Sequence, residues 1–255
     1  MPVGGRVADT IVLQSHRNPL PHDWLITCID SVRSWCAENR YEHRFIGDEL
    51  FENVPKSVLD KTRDQVVIAS DIARLLKIRE LLKQNYERVV WCDADFLIFN
   101  PAKFSLPRDN YALGREVWVQ RLDGRPNKLT SHIKVHNAFL MFAQGNAFLE
   151  FYIDAAERLI EQNNGRMSPQ YIGPKFLTAI HNVAQCPVLE TAGMLCPLVV
   201  DDIVNRGGPA LDLFRHRSPQ SIAGANLCHS LCERGELSAT ILENCIERLL
   251  QGGAV

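Results

Sequence analysis

The sequence lacks any apolar run long enough to cross a bilayer, which takes about 20 consecutive apolar residues in a helix. The best candidate, residues 138–153, is interrupted by Gln144, Gly145, Asn146 and Glu150. The start of the chain also lacks the basic segment and the long apolar segment of a secretory signal peptide. We therefore expect a cytoplasmic protein without a transmembrane segment, and contact with the surface of a membrane stays open.

An excess of charge of one sign is missing as well. The chain has 28 Lys and Arg residues against 30 Asp and Glu residues, a formal net charge of −2, so we expect no nucleic-acid partner. It also lacks internal repeats, low-complexity tracts and linkers. With 255 residues, 46% of them hydrophobic, the chain can build a sizeable core, and we expect one domain over residues 1–255.

Cysteine is present, but nothing indicates a disulfide framework. In the absence of a secretory signal, the eight cysteines are expected to be reduced thiols in a cytosolic protein. The segment CHSLC, residues 228–232, raises the question of a zinc site. Such a site would need a second pair of ligands at suitable spacing, and the sequence offers none.

Short apolar runs alternate with helical periodicity in the first part of the chain. The pattern predicts strands at residues 9–15, 41–48 and 87–92, with helices at residues 23–39 and 70–85. Ser70 or Asp71 would cap the second helix. This alternation favours an α/β fold with a mixed, mostly parallel central sheet flanked by helices.

The rest of the chain is more varied. Periodicity and apolar runs predict strands at residues 136–144 and 196–202 and helices at residues 147–164, 173–184 and 238–251. The last of these helices has one apolar face, which we expect to pack on the core.

Residues 119–136 are polar and carry several turn-forming and basic residues. Asp123-Gly124 and Arg125-Pro126 are turn signals, and no apolar periodicity ties the stretch to a core. A long loop of this kind in a compact domain is usually functional or disordered. We therefore expect a mobile loop here, and a solvated connector is the alternative.

Two aspartates, Asp93 and Asp95, follow the strand predicted at residues 87–92. Two residues apart on an extended chain, they point to the same face, and ligands gather at the carboxyl ends of strands in open α/β sheets. Two carboxylates there can share Mg²⁺ or Mn²⁺. The alternative is a turn in which the aspartates cap neighbouring backbone groups.

Asp71 and Arg74 lie three residues apart at the start of a predicted helix and so share a face. By themselves they are typical of an ion pair within a helix. Upstream of an aspartate pair at a strand end, they could instead hold a sugar and a phosphate.

Seven segments in order resemble glycosyltransferase family 32, the family with the sugar-binding region that contains the D-x-D motif. They are LQSHRNPLPHDW, CIDSVRSW, YEHRFIGDE, ASDIARLLKIRELL, VVWCDADFLIFNP, HNAFLMF and GPKFLTA, spread over residues 10–180. The resemblance implies a GT-A fold and a retaining transfer of a hexose from a nucleotide-diphosphate sugar to a glycan or other acceptor. It also implies Mn²⁺ or Mg²⁺ as cofactor.

The resemblance assigns roles to four of these residues. Asp71 and Arg74 match the family's S-D-x-x-R, which contacts the donor sugar and ribose. Asp93 and Asp95 match the D-x-D motif as metal ligands. Asp95 and Arg74 are the expected catalytic residues, because they would stabilise charge on the leaving nucleotide.

Further positions match the family less closely. Asn137 corresponds to an asparagine in the strand that borders the sugar, Gln14 to the nucleotide-binding edge of the first strand, and Gly173-Pro174 to a G-P at the head of a late helix. His229 is the best counterpart of a late histidine near the metal and is expected as a metal ligand beside Asp93 and Asp95, but the family's H-x-x-x-S-W stretch is absent here. Residues 84–86 also differ from the family's G-G before a tyrosine.

Two other functions stay open at this point. A haloacid-dehalogenase-type phosphatase also uses a strand followed by D-x-D, with a later aspartate pair such as Asp201-Asp202. A catalytically idle GT-A domain would bind sugar or a partner protein. In the glycosyltransferase reading, Asp201-Asp202 are acidic candidates for a nucleophile or ordinary surface carboxylates, and residues 119–136 would face the acceptor.

Overall fold

The computed structural model describes residues 8–252 and 255. Residues 1–7, on which the expectation of no signal peptide partly rests, lie outside the described residues, as do residues 253–254. None of the helices in the described part of the chain has both the length and the apolar character that a membrane span requires.

The described residues contain nine strands in two sheets. In chain order they are β1 Thr10–Ser15, β2 Glu42–Ile46, β3 Arg88–Cys92, β4 Phe96–Ile98, β5 Tyr111–Leu122, β6 Arg125–Ala143, β7 Val188–Leu189, β8 Ala192–Met194 and β9 Gly224–Asn226.

Nine α-helices accompany these strands within the same described ranges. They are α1 Trp24–Asn39, α2 Lys56–Lys61, α3 Val66–Lys83, α4 Ala147–Gln162, α5 Pro174–Ala184, α6 Pro197–Val204, α7 Pro209–Arg217, α8 His229–Glu233 and α9 Ala239–Leu250.

The larger sheet has six strands in the order β2-β1-β3-β6-β5-β7. β1 pairs in parallel with both β2 and β3, and β5 pairs in parallel with β7, whereas β6 runs antiparallel to β3 and to β5. The predicted mixed, mostly parallel sheet is therefore confirmed. The smaller sheet has the order β4-β9-β8 and joins the segment after the D-x-D motif to the late part of the chain.

Apolar residues cover both faces of the larger sheet. One core lies between the sheet and helices α3, α4 and α5, and another lies between the sheet and α1. A third core gathers α6, α7, α9 and part of β5. The expected packing of the C-terminal helix is confirmed, because Leu242, Cys245, Ile246 and Leu249 of α9 are buried.

Helix α3 begins earlier than the sequence indicates. It starts at Val66, so Ser70 and Asp71 lie inside the helix and do not cap it. Twelve of its residues are buried, and this burial outweighs the preference of Ser and Asp for helix ends. As a result Asp71 faces the interior of the molecule.

The prediction of a loop over residues 119–136 is wrong. β5 and β6 extend through this stretch as a long hairpin, and Asp123-Gly124 forms its two-residue turn, with Gly124 at a φ of +70°. Asp-Gly between two pairing strands is a strong hairpin signal. Val117 and Val119 pack in the third core and anchor the hairpin. We call the paired residues 117–133 the arm.

The strand predicted at residues 196–202 is also wrong, because α6 occupies Pro197–Val204. Proline at the first position of a helix has the required φ and needs no hydrogen-bond donor there. The apolar run Leu198–Val200 is thus as compatible with one turn of a buried helix as with a strand.

Shortening the arm should leave the fold intact. Residues 122–128 are all exposed, and Arg121 pairs with Leu129, so Asn-Gly in place of residues 122–128 would close the hairpin at that pair. Exposed changes usually cost less than about 0.5 kcal/mol. We therefore predict a shift in melting temperature below about 3 °C, measured by circular dichroism. A large loss of stability would show that the tip is part of the core.

Candidate functional site

The predicted site residues meet at the edge where the parallel strands β1 and β3 end. Asp93 follows β3, and its backbone N–H donates to the carbonyl of Ala138 on β6, 2.9 Å away. Asn137 lies next to that carbonyl on β6, and α3 places Asp71 and Arg74 against the same edge. The structure therefore brings together four residues that the sequence singled out, namely Asp71, Arg74, Asp93 and Asn137.

Arg74 lies at the centre of the site and is only 7% exposed. Its guanidinium lies 3.0 Å from Asp93 Oδ1 and 3.2 Å from Asp71 Oδ1, and it donates to the backbone carbonyl of Asn137 at 2.8 Å. The guanidinium carbon is 5.0 Å from the ring centroid of Trp91. Burial alone would lower the pKa of Arg74, but the charges of Asp93 and Asp71 raise it.

Asp71 is buried and only partly satisfied. Its Oδ1 accepts a hydrogen bond of 2.8 Å from Asn137 Nδ2, whereas its Oδ2 has no hydrogen-bond partner among the described residues. Burial raises the pKa of Asp71 to about 6, and the charge of Arg74 limits the rise. A buried carboxylate oxygen without a hydrogen-bond partner is costly.

Trp91 fixes the Asp93 carboxylate from the strand side. The indole Nε1 donates to Asp93 Oδ1 at 2.7 Å, because residues two apart on a strand share a face. Arg74 reaches the same oxygen, and the Asp93 side chain keeps 27% of its surface exposed. Asp93 is therefore held on one oxygen, and part of its carboxylate faces solvent.

Gln14 supports this arrangement from behind. It is fully buried, its Nε2 donates to the backbone carbonyl of Asp93 at 3.1 Å, and its Oε1 lies 3.0 Å from His43 Nε2. Burial lowers the pKa of His43 to about 4, so the imidazole is neutral and can donate. Both ends of the Gln14 amide thus have partners within the protein, and contact between Gln14 and a nucleotide stays a prediction.

Asp95 is 8% exposed and accepts from two donors late in the chain. Asn226 Nδ2 donates to Oδ1 and the backbone N–H of His229 donates to Oδ2, both at 2.6 Å. Burial and then the charge of Asp93 raise the pKa of Asp95 to about 7. Asp95 has no ion-pair partner in the described residues, so its charge is uncompensated.

The ring of His229 lies in a small group of aromatic side chains. Its centroid is 5.4 Å from that of His16, 5.5 Å from that of His22 and 5.8 Å from that of Trp24. Burial lowers the pKa of His229, and within the described ranges its Nε2 has no hydrogen-bond partner. The neutral ring therefore has a nitrogen free to act as donor or acceptor, depending on the tautomer.

Side-chain clustering alone does not define a metal centre. In the part of the chain that the structure describes, no three His, Cys, Asp or Glu side chains are gathered as a ligand set. In the CHSLC segment, Cys232 Sγ lies 3.7 Å from His22 Nε2. All eight cysteines are free and lie within the described ranges.

The charges at this edge nevertheless fit a divalent cation. Asp71, Asp93 and Asp95 supply three carboxylates, and Arg74 is their only ion-pair partner among the described residues. When all are ionised, two negative charges remain in a mostly buried site, and buried charges require compensation. A cation of charge two on the oxygens of Asp93 and Asp95 would balance them, and Mg²⁺ and Mn²⁺ prefer such oxygen ligands.

Sequence analysis missed three contributors to this site. The sequence marks Trp91 only as an apolar strand residue, although its position two residues before Asp93 indicates that the two side chains share a face. Asn226 contacts Asp95 across 131 positions, and no local pattern shows such a contact. Gly173 was matched as part of a G-P pair, but its role is to let the backbone approach Asp71 and Asn137 closely.

No protein-family model matches the sequence, and no curated protein matches it either. Among solved structures, a glycosyltransferase involved in the glycosylation of the major capsid of PBCV-1 is similar, with a TM-score of 0.47, 11% identity, and coverage of 94% of this chain and 98% of that chain.

Two further structures are similar at about the same level. An active-site mutant of LgtC has a TM-score of 0.44 and 12% identity, with 96% of each chain covered. Mouse xyloside xylosyltransferase 1 has a TM-score of 0.40 and 11% identity, with 86% of this chain and 85% of that chain covered. Likeness at this level assigns no function.

The close packing at Gly173 predicts a large effect of one methyl group. A Cβ at Gly173 would lie 2.7 Å from Asp71 Oδ2 and 2.8 Å from Asn137 Nδ2, whereas a Cβ at Gly165 would meet nothing within 4 Å. Gly173→Ala should therefore destabilise the protein by about 1–3 kcal/mol. Gly165→Ala is the control, and urea denaturation measures both. Equal stability of the two variants would contradict the packing described for Asp71.

Proposed function

We propose that the protein is a metal-dependent glycosyltransferase of the GT-A type, related to family 32. It would transfer a hexose from a nucleotide-diphosphate sugar to a glycan or other acceptor, with retention of configuration. The observation that supports this most is the network at the strand ends. There Asp71 and Asp93 pair with one buried arginine, Asp95 follows two residues after Asp93, and two negative charges are left for a divalent cation when all three carboxylates are ionised.

The donor diphosphate would bind on the side of Asp93 and Asp95. When bound to these carboxylates, Mn²⁺ or Mg²⁺ supplies Lewis-acid stabilisation of the charge on the leaving nucleotide. Arg74 adds a fixed positive charge beside Asp93. Because Arg74 is already held by its neighbours, it need not reorganise during the reaction, which is the basis of electrostatic preorganisation.

The donor sugar would lie against Asp71. Its Oδ2, without a partner among the described residues, can accept a hydrogen bond from a sugar hydroxyl. Asn137 holds the other oxygen and so fixes the direction in which Oδ2 points. Gly173 borders the same oxygen and packs closely against it.

Asp202 is not available as a nucleophile. Its Oδ2 accepts from the backbone N–H groups of Ala210 and Leu211, at 2.7 and 2.9 Å, and so caps α7. The same contacts remove the later aspartate that a haloacid-dehalogenase-type phosphatase would need. Asp201 is exposed on α6. Retention of configuration is thus proposed from the family resemblance and not from an identified nucleophile.

The acceptor would bind near the arm. β5 runs in the same direction as β3, so the arm extends beyond the edge at which Asp93 lies. Its exposed part carries Arg121, Arg125, Lys128 and His132. We propose that this basic hairpin contacts the acceptor, in place of the mobile loop that the sequence indicated.

The three functions considered for this chain release different products. Incubated with Mn²⁺ and a panel of nucleotide sugars, a transferase should release nucleoside diphosphate slowly by hydrolysis of the donor. A phosphatase should release phosphate, and an idle binding domain should release neither. Asp95→Asn should abolish the release because a neutral amide is a weaker ligand for a hard cation. Release at the wild-type rate in this variant would contradict the proposal.

Arg74→Lys should slow transfer by roughly tenfold or more. Lysine keeps the charge but cannot contact Asp71, Asp93 and the Asn137 carbonyl at once, and a charge-assisted hydrogen bond contributes about 1.5–3 kcal/mol. Arg79→Lys, at a half-buried position of α3 that pairs with Glu150 away from the strand ends, is the matched control. Initial rates of nucleoside diphosphate release measure both. If folded Arg74→Lys keeps full activity, Arg74 is only a structural ion-pair partner.

Replacing residues 122–128 of the arm with Asn-Gly should affect donor hydrolysis and transfer to an acceptor differently. Donor hydrolysis should continue, because Asp93, Asp95 and Arg74 are untouched, whereas transfer to an acceptor should fall through a higher KM for that acceptor. The comparison requires an acceptor identified by glycan-array screening of the wild type. Unchanged acceptor KM would show that the arm does not contact the acceptor.

A further inference from the structure

Asn226 has the geometry of a residue that holds Asp95 in place. It is the last residue of β9 and is 3% exposed. Its Nδ2 donates to Asp95 Oδ1 at 2.6 Å, and its Oδ1 accepts from the backbone N–H of Cys228 at 2.8 Å. The amide therefore uses its donor side on Asp95 and its acceptor side on the turn that follows β9.

That turn delivers the second donor to Asp95. Cys228 has a φ of +54°, a left-handed conformation that is uncommon for residues other than glycine. Cys228 directly precedes α8, and the backbone N–H of His229, the first residue of that helix, donates to Asp95 Oδ2 at 2.6 Å. Because Asn226 binds the N–H of Cys228, it helps to hold the turn and so supports both hydrogen bonds to Asp95.

The backbone around Asn226 is fixed by strand pairing. Asn226 pairs with Phe96 in the antiparallel β4–β9 ladder, directly after Asp95, and the N–H of Leu227 donates to the Asp95 carbonyl at 3.0 Å. Donors from residues 226–229 thus hold both the backbone and the carboxylate of Asp95.

The consequence concerns the direction in which Asp95 presents its remaining lone pairs. Each carboxylate oxygen already accepts one hydrogen bond from the β9 side, so the plane of the carboxylate is set. A neutral donor is required for this, because a carboxylate at position 226 would add repulsion beside Asp93 and Asp95. Residues that orient metal ligands in this way typically affect metal affinity by 10–100-fold.

We infer that Asn226 is a positioning residue that sets the orientation of Asp95 and thereby the affinity for the divalent cation. This inference rests on the proposed function, since it concerns the cation expected at Asp93 and Asp95. It adds to that function the requirement that the late segment of the chain, residues 226–229, be in place before the metal binds.

Electron paramagnetic resonance of free and bound Mn²⁺ tests the inference without an activity assay. The dissociation constant is measured for the wild type, Asn226→Ala and the control Thr62→Val. Thr62 is 1% exposed, and its hydroxyl donates to the Val58 carbonyl at 2.7 Å, so its loss is a comparable structural change away from the metal edge. We expect Asn226→Ala to bind Mn²⁺ 10–100-fold more weakly and Thr62→Val to bind it as the wild type does.

The other outcomes separate this inference from the proposed function. If the wild type binds Mn²⁺ and folded Asn226→Ala binds it equally well, the positioning role is wrong and the metal site stands. If the wild type binds no Mn²⁺, with or without nucleoside diphosphate, the metal-dependent function fails and the inference fails with it. Similar losses in Asn226→Ala and Thr62→Val would also overturn the positioning role, because destabilisation alone would explain them.

A second variant covers the case in which Asn226→Ala does not fold. Asn226→Asp keeps the shape of the side chain but replaces the donor with an acceptor of negative charge. Added charge alone would strengthen cation binding, whereas loss of the hydrogen bond to Asp95 should weaken it. Weaker Mn²⁺ binding therefore supports the inference, and equal or stronger binding overturns it.

Discussion

The ion-pair network of Arg74 is the interaction on which the rest of the site depends. A guanidinium that is 7% exposed is tolerated only if its charge is paired and its N–H groups are bonded. Asp71, Asp93 and the carbonyl of Asn137 meet that requirement, and the face of Trp91 adds a cation–π contact. Helix α3 and strands β3 and β6 are therefore fixed relative to one another by a charged contact as well as by apolar packing.

Pairing Arg74 leaves a deficit of positive charge at the same edge. Arg74 compensates one of three carboxylates, and Asp95 is buried and held by neutral donors only, so among the described residues no ion-pair partner offsets its charge when it is ionised. An electrostatic cost of this kind is typical of functional sites, where a ligand supplies the missing charge. The early part of the chain provides the network around Arg74, and the late part, through Asn226 and His229, orients the residual carboxylate.

Local sequence patterns predict many of the strands and helices. They predict few of the contacts that hold the site residues in place. The strands ending near Gln14 and Cys92 were predicted from apolar runs, and the D-x-D at the end of the second of them was enough to expect a cation. The arm was misread because exposed strands lack apolar alternation, although Asp123-Gly124 indicated a hairpin.

Other differences between prediction and structure arise where tertiary packing outweighs the local conformational preference of a residue. Helix α3 continues through Ser70 and Asp71 because its buried face stabilises it. The contacts of Gln14 with Asp93 and His43, and of Asn226 with Asp95, join parts of the chain that are distant in sequence. Such contacts depend on how the strands are ordered in the two sheets, which a single sequence does not specify.

The central claim is that Asp95 carries an uncompensated charge which a divalent cation neutralises, and proton release on Mn²⁺ binding tests it most directly. With a pKa raised to about 7, Asp95 keeps its proton below that pH, and the cation must displace it. Calorimetric titrations in buffers of different ionisation enthalpy measure the protons released. We predict release of most of one proton at pH 6, little release at pH 8, and weaker binding at pH 6 than at pH 8. Equal affinity at both pH values without proton release, or no Mn²⁺ binding at all, would contradict the claim.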